Sequence, residues 1–259
     1  MLKKVEFEGQ EIGYKIEGLA GKTLLALHGF LEDHSIFDLL FSAYADVQVI
    51  GIDLPGFGAS KEIKPKSIAH MAEACQAVLN QEQVQEVYIV GHSLGGYVAL
   101  ELAKLRPVNG IFLLNSTPFG DDKKRQQFRS QAIKVCSLKK SLFVKQSLNS
   151  LFYHEDEKKF EACKSKLFEI ANASSSESII AVIQAMKDRE DNSSYFAQGK
   201  FKQVIYHGKF DPLISRHSLR AYAEENNIQF IECDSSGHMS WVENPEGLVQ
   251  EVSSFANLS

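Results

Sequence analysis

The chain has 259 residues, 44% of them apolar, and a formal charge of −5. Those values suit a globular domain with a sizeable core, either one α/β domain or one such domain with an insertion. The acidic balance leaves no basic footprint for nucleic acid, and no apolar run approaches the ~20 residues of a membrane span. Residues Met1-Leu2-Lys3-Lys4-Val5 lack the apolar centre of a signal peptide. Cys75, Cys136, Cys163 and Cys233 lie far apart with no CxxC, so they read as reduced, partly buried thiols of a cytoplasmic protein, with a secreted disulfide protein as the alternative.

Taken in order, Lys4 to Phe7 and Ile12 to Ile16 alternate around Glu8-Gly9-Gln10-Glu11 and predict a hairpin. Thr23 to Leu27 is near-continuously apolar, as a strand buried on both faces must be, and it ends in His28-Gly29-Phe30. A short helix over 34–44 precedes a buried strand, Val47 to Ile52. Asp53-Leu54-Pro55-Gly56-Phe57-Gly58-Ala59-Ser60 follows as a turn-rich loop. Ser67 to Asn80 has helical spacing, Val87 to Gly91 is the next strand, and Leu94 to Lys104 is a helix that stops before Pro107. Ile111 to Asn115 is a further strand.

From about Phe119 to Gln198 only helical patterns occur. One apolar stripe joins Leu138, Leu142, Phe143, Leu148, Leu151 and Phe152. A second joins Phe160, Cys163, Leu167 and Ile170, and a third runs from Ile179 to Met186. Ser174 and Glu177 read as a capping box before the third. Strand and helix then alternate again: Gln203 to His207, Leu213 to Asn226, Gln229 to Cys233 and Pro245 to Ala256. The expectation is a mostly parallel α/β sheet interrupted once by a helical insertion.

The chemistry centres on Gly91-His92-Ser93-Leu94-Gly95, a strand–serine–helix turn with the pattern of a nucleophile elbow. A serine hydroxyl needs a base beside it, and the base needs an orienting acid. Both belong on loops after later strands, where an open α/β sheet presents its site. Asp211 follows one such strand and His238 follows the next. The nominated catalytic residues are therefore Ser93, Asp211 and His238. The backbone N–H groups of Phe30 and Leu94 are nominated for an oxyanion hole. Asp53 reads as structural, Asp234 as a solvated turn residue and His92 as a packed partner of the elbow. His28 braces the Phe30 loop and is placed among the pocket residues with Tyr97, Phe119, Phe128, Phe143 and Phe152. Neither a metal-binding motif nor a phosphate loop is present, so no metal and no cofactor are expected.

These motifs together resemble the α/β-hydrolase superfamily over nearly the full length of the chain. They are His28-Gly29-Phe30, the 53–60 loop, Gly91 to Gly96, His207-Gly208-Lys209-Phe210-Asp211 and Gly237-His238. The resemblance implies an α/β-hydrolase fold of about eight strands with one antiparallel at the N-terminal edge. It also implies a core of residues 1–118 and 199–259, with a helical cap at 119–198 roofing the site. A serine nucleophile argues against dehalogenases and epoxide hydrolases of this fold, which attack through a carboxylate. The expected activity is cleavage of a small carboxylic ester or thioester through an acyl-serine. Carbon–carbon bond hydrolases share the triad, and His28-Gly29-Phe30-Leu31 resembles the lyase family of menaquinone synthesis. That family commonly carries arginine shortly after the elbow glycines, where this chain has Tyr97. A hydrolase-like receptor is the alternative of another class. Between Asp121 and Lys166 twelve Lys/Arg stand against six Asp/Glu. This layout resembles that of the methyl esterases of biotin synthesis, which implies an acidic carrier protein or an anionic substrate at the basic face.

Overall fold

The computed structural model describes residues 2–153 and 159–258. Strands β1 (Leu2–Phe7) and β2 (Gln10–Glu17) form the expected hairpin, turning at Glu8 and Gly9 with positive φ. Strand β3 (Thr23–Leu27) follows, then a 3-10 turn at His34–Phe37, α1 (Asp38–Ala43) and β4 (Gln48–Ile52). Helix α2 (Ile68–Gln81), β5 (Val87–His92), α3 (Leu94–Leu105) and β6 (Gly110–Leu114) complete the first half. Among the described residues five α-helices then intervene: α4 (Lys123–Leu138), α5 (Lys140–Asn149), α6 (Glu161–Ala173), α7 (Ser176–Lys187) and α8 (Ser193–Phe196). The alternation returns with β7 (Lys202–Gly208), α9 (Arg216–Glu225), β8 (Gln229–Cys233), α10 (Ser240–Glu243) and α11 (Pro245–Ala256).

The strands form one eight-stranded sheet in the order β1-β2-β4-β3-β5-β6-β7-β8. From β4 to β8 neighbours pair in parallel, and β2 pairs antiparallel with both β1 and β4. The antiparallel strand is thus one position in from the edge. β3 and β6 are buried at every position, which explains their unbroken apolar sequences. The chain reverses its direction of travel across the sheet between β3 and β5, which are hydrogen-bonded neighbours with Leu27 opposite Gly91. A crevice opens at such a switch point, beyond the carboxyl ends of the strands. The loops after β3 and β5 are therefore side by side at the crevice.

Three local expectations change. The cap of α7 is Ser175, whose hydroxyl accepts the Ser178 N–H at 3.0 Å, and not Ser174. Ser174 is already engaged in ending α6, with extended backbone and full burial. Helix α9 begins at Arg216 and not at Leu213, because the Asp211 carboxylate accepts the Leu213 and Ile214 N–H groups and holds them in a turn. The first apolar stripe divides: Phe143, Leu148 and Phe152 are buried, whereas Leu138 and Leu142 are exposed. Leu138 closes α4 and Leu142 lies on α5, so the break at Lys139 turns them away from that core.

The turn from β5 into α3 allows no side chain at two positions. A Cβ at Gly91 would lie 2.6 Å from the backbone of Gly95 and Gly96, and one at Gly95 would run into the Leu27 carbonyl. Both obstacles are backbone atoms, which cannot swing aside as a side chain would. Gly95→Ala should therefore destabilise the protein by about 3 kcal/mol, the upper end of overpacking costs. Gly120→Ala, whose Cβ would make only ordinary contacts with Asp191, should stay within about 0.5 kcal/mol. Urea-denaturation midpoints of the two variants check this.

Candidate active site

Ser93 sits between the last residue of β5 and the first of α3, with φ 48° and ψ −109°. A non-glycine residue in this region is strained and needs support. Support comes from the neighbouring strand: the Ser93 N–H donates to the Leu114 carbonyl at 3.0 Å. The Ser93 carbonyl accepts from the Ser116 hydroxyl at 2.7 Å and the Gly96 N–H at 3.1 Å. The strand end thus holds the turn from both sides.

His238 is 2% exposed and follows β8. Its Nδ1 lies 2.8 Å from Asp211 Oδ2. Ionised carboxylate oxygens only accept, so Nδ1 carries the proton of this contact. Asp211 is fixed by three further hydrogen bonds. Oδ1 accepts the Leu213 N–H at 2.8 Å and the Ile214 N–H at 3.2 Å, and Oδ2 accepts from Asn115 Nδ2 at 3.1 Å. Beyond these stands His207, 3.9 Å away. Burial alone would raise the Asp211 pKa, but the adjacent His238 and these donors hold it at about 2.

The backbone around His238 is equally constrained. Its N–H donates to the Leu151 carbonyl at 3.0 Å, and its carbonyl lies 2.9 Å from His92 Nε2. Glu243 Oε2 accepts the N–H groups of Gly237 and Met239, at 2.9 and 3.1 Å, while Oε1 accepts the Tyr153 N–H at 2.6 Å. Leu151 and Tyr153 belong to the helical insertion, which therefore grips the His238 loop directly. Burial holds the Glu243 pKa above its ordinary value.

Ser93 and His238 line one cavity of about 340 Å³, walled by Phe30, Phe128, Phe143 and Leu213 among others. Phe30 and Phe143 meet edge to face at 6.4 Å. The Phe30 N–H donates to no described protein acceptor, and neither does that of Leu94 at the start of α3. The Leu94 side chain is core.

The remaining pocket nominations fare differently. His28 is fully buried below the cavity: Nε2 accepts the Leu54 N–H at 2.9 Å, so Nδ1 is the donor to the Gly29 carbonyl at 2.8 Å. It braces the loop and does not line the pocket. Phe152 is core, packed on Phe160 at 5.5 Å. Tyr97 and Phe119 line a second cavity of about 720 Å³, which shares Arg125, Phe128 and Leu213 with the first. Tyr97 lies under the Arg189 guanidinium, 4.0 Å from its ring centre, and Phe119 packs against Tyr222. Asp53 is buried and accepts from His34 and Ala59, and Asp234 is exposed beside Lys209.

Asn115, Glu32 and Glu243 were not singled out from the sequence. Asn115 has φ 44° and donates through Nδ2 to both Asp211 and the Gly237 carbonyl. An asparagine ending a buried strand is a weak signal, and buried glutamates are invisible until their partners are known. Among the described residues no group of His, Cys, Asp and Glu has the arrangement of a metal site, and no helix is long and apolar enough to cross a membrane.

A Pseudomonas putida protein, the dihydrolipoyllysine-residue acetyltransferase component of an acetoin cleaving system, is 27% identical over 253 residues. That match spans 93% of this chain and 65% of the relative. A pimeloyl-[acyl-carrier protein] methyl ester esterase of Shewanella woodyi is 34% identical over 100 residues, 38% of this chain and 37% of that protein. The chain thus spans less than two thirds of either relative. A thermophilic esterase from Thermogutta terrifontis superposes with a TM-score of 0.89 at 20% identity, over 99% of this chain and 98% of that one. Residues 22–245 match the family described as the alpha/beta hydrolase fold, and the chain belongs to that family.

Proposed function

We propose that the protein is a serine hydrolase that cleaves a small carboxylic ester or thioester through an acyl-serine intermediate. The observation that carries the reading is that His238, 2.8 Å from Asp211, lines the same cavity as the strained Ser93. The Ser93 hydroxyl attacks the carbonyl carbon while His238 Nε2 takes its proton. The carbonyl electron pair moves onto oxygen, where the unclaimed N–H groups of Phe30 and Leu94 receive it. As the oxyanion collapses, the alcohol or thiol leaves with the proton from Nε2. Water then repeats the cycle against the acyl-serine, with His238 as base. Asp211 stays ionised and holds the imidazole in the tautomer that this requires.

The helical insertion is the cap in this reading: α4, α5 and α7 supply Phe128, Phe143 and Ile183 to the cavity wall. A volume of about 340 Å³ suits a small acyl group. The methyl ester esterase among the relatives supports ester cleavage.

Charge favours an anionic substrate, either free or linked to an acidic carrier. Asp121 is consumed by Arg129 and Arg189, the latter at 2.6 Å. Arg125 is half-buried at the junction of the two cavities, and among the described residues no ion pair holds it or its neighbours Lys123 and Lys124. Residues 154–158, which carry three of the six acidic groups of this segment and one of its twelve basic ones, lie outside the described residues.

Ser93→Ala should lower kcat by about 10⁶ on p-nitrophenyl esters and abolish fluorophosphonate labelling. A folded wild type that does not label would favour the receptor alternative. A thioester and a β-diketone in the same panel separate acyl transfer from carbon–carbon cleavage. Asp211→Asn should cost about 10⁴ in kcat. Because Asp211 is ionised down to about pH 2, kcat/KM of the wild type should fall with unit slope through pH 4. A second break near pH 4 would show an aspartate titrating in its ordinary range. Replacing Lys123, Lys124 and Arg125 by glutamate should raise KM for an anionic or carrier-linked ester and spare a neutral one. Equal effects on both would refute the charge reading.

A further inference from the structure

A buried ion pair lies directly beneath the proposed reaction centre. Glu32 and His92 are each 1% exposed and both line the Ser93 cavity. His92 Nδ1 lies 2.9 Å from Glu32 Oε2, and the same carboxylate oxygen accepts the Gly29 N–H at 2.6 Å. The other ring nitrogen, Nε2, lies 2.9 Å from the His238 carbonyl. Three segments meet in this one arrangement: the loop after β3, the last residue of β5 and the loop carrying His238.

Proton counting gives the pair a definite state. A carbonyl oxygen cannot donate, so Nε2 of His92 must carry a proton. Nδ1 faces a carboxylate, so a proton must also lie between them. Without it, a buried carboxylate would confront a nitrogen lone pair at 2.9 Å. The pair therefore holds two protons, one on His92 Nε2 and one between Nδ1 and Glu32 Oε2, and is neutral overall. The electrostatics agree. Burial opposes charge on both groups, but each partner offsets it for the other, holding the His92 pKa above and the Glu32 pKa below the ordinary values. The other titratable groups around the pair are His28, His238, Asp211 and Cys163.

We infer that Glu32 and His92 are positioning residues that lock the Phe30 N–H and the His238 imidazole into one register around Ser93. The carboxylate commits the Gly29 N–H, which sets the peptide that precedes Phe30. The imidazole commits the His238 carbonyl, which sets the loop from which the base projects. Errors of about 1 Å in such a register cost roughly 10² in rate. This inference rests on the serine-hydrolase reading above.

Glu32→Gln keeps size and hydrogen bonding but removes the shared proton, and His92→Asn removes the bridge to His238. Both variants should lose about 10²-fold in kcat with KM for a small neutral ester nearly unchanged. Affinity for a boronic-acid analogue of the tetrahedral intermediate should fall by the same factor. Imidazole ¹⁵N spectra of histidine-labelled protein should show both His92 nitrogens protonated through neutral pH in the wild type and only one in Glu32→Gln. Glu32→Asp should restore part of kcat. Rates are counted per fluorophosphonate-reactive Ser93, so misfolded protein drops out of the comparison. Unchanged kcat per labelled site, or a neutral His92 in the wild type, overturns the inference. A wild type that does not label overturns the hydrolase reading instead.

Discussion

The structure depends on a backbone constraint at Ser93. Its positive φ is costly for a residue with a side chain, and it persists because the surroundings leave the turn no alternative. Gly91 and Gly95 let α3 press against the ends of β3 and β5. The end of β6 then closes on Ser93 through Leu114 and Ser116. That close fit brings the N-terminus of α3 to the crevice, where its first N–H groups and dipole favour developing negative charge. The strain is local, and central strands buried on both faces keep it in place.

The second ordering element is the treatment of His238. Its ring is held by Asp211, its N–H by Leu151, its carbonyl by His92 and its flanking N–H groups by Glu243. Few of these partners are neighbours in sequence. A side chain fixed by so many independent contacts pays its orienting entropy on folding, before any ligand arrives. The same contacts join the helical insertion to the base loop through Leu151, Tyr153 and the stacked pair Tyr153–Phe210, 4.0 Å apart and next to Asp211. The insertion is thus tied to the Asp211 and His238 loops as well as walling the cavity.

Local pattern carried the fold well. The strand and helix order follows from unbroken apolar runs, helical periodicity and turn residues, all of which act over a few neighbours. The places of Ser93, Asp211 and His238 were legible for the same reason, since each lies at a strand end marked by glycine or a polar cluster. Where several residues were chemically equal, pattern failed. Ser174 and Ser175 are equivalent as caps until the end of α6 claims the first. Phe119, Phe128, Phe143 and Phe152 are all apolar aromatics in one insertion, yet they divide among two cavities and the core.

From its sequence alone this protein is committed to a parallel α/β sheet, a helical interruption after the sixth strand, and a serine, an aspartate and a histidine on successive loops. Those features depend on spacing along the chain. Only the tertiary structure decided which oxygen of Asp211 faces His238, that Asn115 and Glu243 brace them, and that Glu32 and His92 meet beneath the elbow. A hydrogen bond is directional and a few tenths of an ångström decide it, while its partners here lie up to 146 residues apart. Periodicity can place a residue on a strand end, but it cannot say which distant polar group will meet it there.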